Sequence, residues 1–589
     1  MRARYRLAVD LLLVSPPVAN FGQCSSGISV LNAYLRARGF DVHAWDLAIE
    51  AFHAFHSREH LEHLLDGVAD DELLALARAT AAEIDDAKKA LRVPGIELDH
   101  DRMRAAFRTI GDAGKVLTAK GRGSYTHDFR NFSAPKAFAS WGAMGLVVDD
   151  PEVNPYLELF ERHALPRIAR DMPKVLGVSI TYFSQVLPAI TLVRMARRAF
   201  PDLKILVGGA YLTSVEHEIG RIPAAVVPAD AIVLHDGEIP LERLLGWIVR
   251  GEGRLEDVPG CYAPGANDRF SLVSDTPVPQ IDLEQLPVPM WTSAGLDLSQ
   301  YLVPKYAIPL PLSRGCYWGR CVYCNISSQT SASYRVRPVE MAVADVKAAI
   351  AETGSNWFDF PVDSFRPREL LDLVRALERE GVEIEWGAEV ILDRNFRDEL
   401  IEQLADGGCR TLRFGLESAS AETLKEMNKP IRPAEALQIF RSCKKHGIQT
   451  AAMLIAGFPT EPQARLQETF DFLVEASDAI DFVTVHQFSV VPGSVMAERP
   501  GDFGLHLLPV EGILRSNLPF ASSNPVGMRN SDLPRVIDSM LEGLRDYYPD
   551  LGELWKVAIG GWMTFPAACA RRDPPTTSLG PNRPSPTTA

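Results

Sequence analysis

Short apolar runs bounded by turn residues alternate with amphipathic segments along most of this chain. In the first 250 residues the runs are LAVDLLLVSPP, DVHAWDL, KVLGVSITYF, KILVGGAYL and ADAIVLHDGE. Between them, SGISVLNAYLRARGF places Ile28, Leu31 and Leu35 at helical spacing with Gly39 as a cap, and LPAITLVRMARRAF is a second helical stretch. Strands separated by helices predict a parallel, doubly wound α/β sheet over 1–260. A charged, mostly helical insertion of about 120 residues (50–170) interrupts it. Ligands of such sheets bind beyond the carboxyl ends of the strands. The loops 15–27, 181–185, 208–213 and 235–238 therefore form the candidate binding edge.

A proline-rich connector, 261–304, carries PVPQIDLEQLPVPMW. A second alternation follows over 305–495, with strands AIPLPLS, WFDFPV, EIEWGAEVI, CRTLRFGLE, IQTAAMLIAGF and DFVTVHQFSVV. The helix PRELLDLVRALEREG presents Leu370, Leu371, Val374 and Leu377 on one face, and it and RDELIEQLADGG both end in glycine. Six such units predict a partial (β/α)6 barrel with its chemistry at the carboxyl ends of the strands. The segment 496–570 holds one clear helix, SDLPRVIDSMLEGLRDYY. The Pro/Thr/Ser-rich tail 571–589 is expected to be disordered.

Composition narrows the function. The chain has 589 residues, 46% hydrophobic and 23% charged, with a formal net charge of −15. It has no basic stripe of the kind nucleic-acid binders use, so a small molecule or a peptide is the expected partner. The start, MRARYRLAVDLLLVSPPVAN, is basic and then apolar, as signal peptides are. Asp10 breaks the run and Pro16-Pro17 end it, which suits a buried strand better. No apolar run reaches transmembrane length, and a reduced, cytoplasmic setting is expected.

Three of the eight cysteines crowd into PLSRGCYWGRCVYCNISS, at Cys316, Cys321 and Cys324. The other five are scattered and read as small buried hydrophobes. A structural zinc site wants four ligands, and no fourth Cys or His lies near. A thioredoxin-like pair leaves the third cysteine surplus. An iron–sulfur cluster held by three thiolates uses all three and leaves one iron open to a non-protein ligand.

RGCYWGRCVYC resembles the cluster loop of the radical S-adenosylmethionine (SAM) superfamily, with C-x4-C-x2-C where C-x3-C-x2-C is usual. Tyr323 matches an aromatic common before the last cysteine. The resemblance implies a [4Fe-4S] cluster on Cys316, Cys321 and Cys324. Its unique iron would chelate SAM, whose one-electron cleavage gives a 5′-deoxyadenosyl radical. FPVDSF occupies the second-strand position, where Asp363 would serve the SAM amino end in place of the commoner Gly-Gly-Glu. RFGLESASAETLKEMNK resembles the fourth-strand motif, with Glu417 and Ser418 near the ribose or carboxylate. LIAGFPTE resembles the fifth-strand turn, with Gly457 and Pro459 beside adenine.

The N-terminal half resembles the cobalamin-binding domain that precedes the barrel in one radical SAM class, through LLLVSPP, VLNAYLRARGFDVHAWDL, ILVGGAYL, VLHDGEIPLERLL and the connector IDLEQLPVPMW. By that resemblance Ser179, Gly208, Gly209, Asp236, Gly237 and Glu238 face cobalamin. DVHAWD imitates a D-x-H-x-x-G motif but lacks its glycine and lies in the second strand, so His43 reads as a strand residue. With no histidine in the loop after the first strand, base-off cobalamin without histidine ligation is expected. The class implies methylation of an unactivated carbon of a natural-product intermediate or peptide by way of methylcobalamin. It also implies an electron donor such as flavodoxin or ferredoxin. Other radical outcomes (ring contraction or cyclisation, with or without cobalamin) and a non-catalytic cobalamin or redox sensor are the alternatives. His486, near the end of the sixth barrel strand, could face the site, although a core or hydrogen-bonded histidine is the favoured reading.

Overall fold

The computed structural model describes residues 9–548 except Ala19, 65–69, 97–98, 129–130 and 327–332; the end of the segment 496–570 and the tail 571–589 lie outside the described residues. The first sheet is built on β1 (Leu11–Ser15), β2 (Val42–Asp46), β5 (Val175–Ser179), β6 (Lys204–Gly208) and β7 (Ala231–Val233), with a small hairpin β3 (Thr126–His127) and β4 (Phe132–Ser133) in the insertion between them. Its strand order is β2-β1-β5-β6-β7-β8-β9, and the first five are parallel. All of β1 is buried, as expected for a strand covered on both faces.

The connector is not a bare linker. Residues β8 (Cys261–Pro264) and β9 (Phe270–Leu272) turn antiparallel and extend the first sheet beyond β7. The rest straps both halves together. Trp291 is fully buried, Tyr301 Oη donates to Asp46 Oδ2 at 2.6 Å, and Tyr306 Oη donates to Cys24 Sγ at 3.0 Å.

The second sheet comprises β10 (Ala307–Pro309), β13 (Trp357–Phe365), β14 (Glu385–Ile391), β15 (Cys409–Glu417), β16 (Gln449–Ala456) and β17 (Phe482–Gln487), all parallel and in that order. β10 and β17 do not pair, so the sheet is an open crescent, a partial barrel. Phe358, Phe360, Trp386 and Phe414 fill its core. The covering helix Pro367–Arg379 buries Leu370, Leu373, Val374 and Leu377; Leu373, not Leu371, completes the apolar stripe. Two short antiparallel strands, β11 (Ser313–Arg314) and β12 (Arg335–Val336), carry the cysteine loop between them. The C-terminal segment is only partly helical. A hairpin of β18 (Leu505–Leu507) and β19 (Phe520–Ser522) precedes the expected helix, Leu533–Leu544.

The insertion is held by a helical hairpin, Asp71–Ala90 against His100–Lys120, and buries a cluster of rings. His56 stacks on Phe52 at 4.2 Å, its ring lies 6.5 Å from that of His127, and Tyr156 Oη is 3.3 Å from His127 Nε2. Burial holds His127 down at about 4 and His56 well below its usual value. Groups with depressed folded values stabilise the protein above the unfolded value, near 6.5, and lose that contribution as pH falls toward 4. The urea midpoint is therefore expected to drop between pH 7 and pH 5. His127→Gln should flatten that dependence; an unchanged slope would refute the assignment.

Candidate functional site

The cysteine loop is tied to the carboxyl edge of the barrel by its own backbone. Gly315, at φ +80°, donates its N–H to Asp363 Oδ2 at 2.8 Å. Trp318 Nε1 donates to the Asn428 carbonyl at 2.8 Å, and Asn428 Nδ2 returns a bond to the Arg320 carbonyl at 2.8 Å. Val322 N–H reaches the Met427 carbonyl at 3.2 Å, and Met496 N–H reaches the Val322 carbonyl at 3.1 Å. Cys316, Cys321 and Cys324 are half-buried free thiols. Among the described residues no three Cys, His, Asp or Glu side chains converge on a single-ion site.

The surroundings of the thiols are charged in a matching way. Lys429 Nζ bonds Glu417 Oε1 at 2.8 Å with the two side chains 7% and 12% exposed. Burial opposes the charge on Lys429, but the Glu417 field, with further help from Cys321 and Cys316, outweighs it and raises the lysine above its usual value. Burial pushes Cys321 up to about 11, opposed by the Lys429 charge and by the Tyr323 hydroxyl, which donates to its sulfur. A buried cation and a hydroxyl donor aimed at thiols stabilise them as thiolates, the form that binds iron.

Beside this loop lies a cavity of about 820 Å³ that joins the two sheets at their carboxyl edges. One wall belongs to the first sheet. Leu13, Gly177, Val178, Leu206 and Val207 line an apolar seam along the strands, and Asn20, Gln23, Ser25, Ser179, Thr181 and Thr213 provide neutral polar groups. The opposite wall belongs to the barrel and carries Asp359 and Asp363 from β13, Glu389 from β14, Arg413 from β15, Met453 from β16 and His486 from β17. Arg413 Nη2 bonds Asp359 Oδ1 at 2.8 Å and its Nε lies 3.4 Å from Glu389 Oε1. Glu389 keeps 46% of its side chain exposed, and the cavity it lines is what it is exposed to. Its carboxyl is raised, first by burial, while Arg413 opposes the shift.

The residues singled out from sequence fall into two groups. Ser179, Gly208, Gly209, Asp236, Gly237, Glu238 and Asp363 line the cavity. Tyr323 and Glu417 surround the cysteines. Ser418, Gly457 and Pro459 do not line the cavity. Ser418 Oγ is buried and bonded to Thr469 Oγ1 at 3.2 Å, and Gly457 N–H donates to Glu461 Oε2 at 2.9 Å. A side chain at Gly457 would strike Leu533, and one at Gly527 would strike the Pro459 carbonyl, so this turn seats the C-terminal segment. Burial lifts Glu461 to about 7, and it bonds Ser418 as well as the Gly457 turn. His43 sits on the edge strand β2, 3.6 Å from Asp41 and outside the cavity, in keeping with its reading as a strand residue. His486 differs: it lines the cavity.

Sequence reading missed Arg314, Arg335, Asp359, Glu389 and Arg413, and marked His235 only as part of the 235–238 loop. The signal was there for three of them: Asp359, Glu389 and Arg413 interrupt otherwise apolar strands, and a charge in a buried strand marks a site or a pair. His235 lines the cavity at φ +63°, its Nε2 3.2 Å from Glu216 Oε2.

Residues 310–473 match the radical SAM superfamily, across the barrel strands and the cysteine loop just described. That stretch is a radical SAM domain. An uncharacterised methyltransferase of Pyrococcus horikoshii is 24% identical over 329 residues, covering 55% of this chain and 69% of that protein. Bacteriochlorophyllide d C-12(1)-methyltransferase of Chlorobaculum tepidum is 27% identical over 225 residues, 36% of this chain and about half (48%) of that protein. Among solved structures, the cobalamin-dependent SAM radical enzyme OxsB with aqua-cobalamin superposes at a TM-score of 0.60 and 13% identity, covering 94% of this chain and 68% of that one. TsrM of Kitasatospora setae, a radical SAM methyltransferase with cobalamin and a [4Fe-4S] cluster, gives 0.54 and 15%, covering 86% of this chain and 82% of that one. The two-domain radical SAM fold is therefore shared along nearly the whole chain.

The first-sheet wall also fits a large, amide-rich, mostly neutral ligand. Gly177 and Gly208 keep the seam open, and Ser313 Oγ, buried in the wall, has no protein partner. Gly209 holds φ +110°, and a Cβ there would lie 2.3 Å from the Ile180 carbonyl oxygen. Gly209→Ala is expected to lose about 1–3 kcal/mol to backbone strain alone and to expel the loop from the cavity wall. A lowered melting temperature checks this; an unchanged melting temperature refutes it.

Proposed function

We propose that the chain is a cobalamin-dependent radical SAM enzyme that methylates an unactivated carbon of a natural-product intermediate or peptide. The observation that carries this reading is the single cavity shared by the first sheet's carboxyl edge and the barrel mouth beside the cysteine loop. When bound, the cluster with SAM supplies one-electron bond cleavage, and the corrin supplies a methyl group for a carbon that has no lone pair.

The residues of this chain divide the remaining work. Cys316, Cys321 and Cys324 would hold the cluster and Asp363 the cysteine loop's entry, while Lys429, Glu417 and Tyr323 set the charge around the sulfurs. Ser179, Thr181, Gly208 and Gly209 would frame the corrin, and His235, engaged with Glu216, would not ligate it. Asp359, Glu389 and Arg413 would orient the methyl acceptor, three carboxylates with Asp363 against one guanidinium. That balance favours an acceptor that is neutral or basic over an acidic one. The methyltransferase names of the matched relatives support the reaction type, and their differing substrates leave the acceptor open. A flavodoxin- or ferredoxin-class electron donor is implied.

Anaerobic reconstitution with iron, sulfide and hydroxocobalamin tests the reading. About four irons, one corrin and 5′-deoxyadenosine on adding SAM and reductant are expected. His235→Ala should leave the corrin spectrum unchanged; a shift would mean histidine ligation. Iron and 5′-deoxyadenosine without corrin would favour a radical SAM enzyme without cobalamin. An intact cluster giving no 5′-deoxyadenosine would favour a sensor.

A further inference from the structure

Two arginines and two carboxylates join the halves of the protein across the cavity. Arg314, on β11, is separated from Cys316 only by Gly315; Arg335, on β12, is its cross-strand partner at the far limb of the cysteine loop. Arg314 Nη1 bonds Asp236 Oδ1 at 3.0 Å, and its Nη2 bonds Glu238 Oε1. Arg335 Nη2 bonds the other Asp236 oxygen, Oδ2, at 3.0 Å. The side chains are 21% (Arg314), 13% (Arg335), 14% (Asp236) and 3% (Glu238) exposed, so water screens these pairs weakly. One carboxylate thus grips both limbs of the loop that presents the cysteines. That carboxylate belongs to the 235–238 loop, all four residues of which line the first-sheet side of the cavity.

We propose that this clasp is a positioning device that couples the two ligand sites. A ligand seated on the first-sheet edge fixes the 235–238 loop. Through Asp236 and Glu238 that loop fixes both limbs of the cysteine loop, and so the place where SAM is held. The identities of the two ligands rest on the function proposed above; the clasp itself rests on the four side chains. Independent sites would not need it, since each half has its own core strands. A reaction that brings groups from two cofactors to one carbon does need it, because a misplacement of about 1 Å can cost roughly 100-fold in rate. By linkage the effect is reciprocal: corrin tightens SAM binding by the same factor that SAM tightens corrin.

The test uses reconstituted full-length protein carrying its cluster. SAM affinity is measured with and without saturating hydroxocobalamin, and the ratio of the two, rather than either affinity, is the readout. In the unmodified protein a ratio of about fivefold or more is expected, within the range typical of coupled sites. In Asp236→Asn/Glu238→Gln the ratio should fall below twofold, and amide hydrogen exchange over 315–326 should quicken about tenfold while that of β1 stays unchanged. Arg314→Lys, which keeps the charge but not the fork, should restore a ratio between these limits, and it serves if the double variant folds poorly. A double variant with the full ratio and unchanged exchange overturns the proposal. An unmodified protein that binds both ligands with a ratio of one overturns the coupling alone. One that binds SAM but no corrin overturns the coupling together with the function proposed above.

Discussion

Alanine at Cys316, Cys321 or Cys324 is expected to leave a folded protein that assembles no four-iron cluster and releases no 5′-deoxyadenosine above background. In the proposed site each sulfur is one of three protein ligands, and among the described residues no other cysteine stands in reserve. Cys24, Cys261, Cys409 and Cys443 are buried in the cores of the two halves. Burial raises the Cys443 thiol beyond its usual value, so it is an inert core group. Cys443→Ala is the control: it removes a buried sulfur, lowers stability modestly, and leaves iron content and SAM cleavage intact. Iron and sulfide assays, with mass spectrometry of the nucleoside, separate the outcomes. Full iron content in any of the three alanine variants would remove that residue from the site.

Arg413→Met is expected to lose about 3–5 kcal/mol of stability. The guanidinium is 7% exposed and lies between Asp359, also 7% exposed, and Glu389. Removing it leaves carboxylates in a barrel interior with no cation between them, and an uncompensated buried charge costs more than the pair contributes. Glu389, already raised by burial, would then titrate further upward. A group whose folded value is raised stabilises the protein below that value, so the deficit should shrink as pH falls from 8 to 5. Arg413→Met/Asp359→Asn should recover part of the loss, which a double-mutant cycle by chemical denaturation measures. A deficit that is flat in pH would mean that lost packing, not charge, dominates.

The parallel strands of both sheets were readable from sequence because each is a buried run punctuated by Gly, Pro or Asp. Helix faces were readable to within one side chain, Leu373 in place of Leu371. The cysteine triad was readable because its spacing is local. The strands β8, β9, β18 and β19 were not: they are three or four residues long and partly exposed, too short for a period to register. Nor was the clasp. Asp236 and Arg335 are 99 positions apart, and Glu238 and Arg314 are 76 apart; nothing in local patterning tells one charge of another at such distance. Ser418 and Gly457 directly follow the strands β15 and β16 that the sequence predicts. Which way a strand end turns its side chains depends on neighbours such as Thr469 and Leu533 that only folding supplies.

The insertion also sets the tempo at which this chain can mature. Leu11 of β1 pairs with Val175 of β5, and the contact Lys174–Asp10 spans 164 residues. At about 5–20 residues per second, a ribosome needs roughly 10–30 s to deliver β5 after β1 has emerged. Through that interval β1 and β2 form a two-stranded apolar ribbon with an open inner edge, a template for pairing with other nascent chains. Closing so long a loop costs little more at equilibrium than closing a shorter one, so the burden is kinetic. Heterologous yield should depend on slowing initiation or on chaperones that shield that edge until the insertion has condensed and β5 arrives.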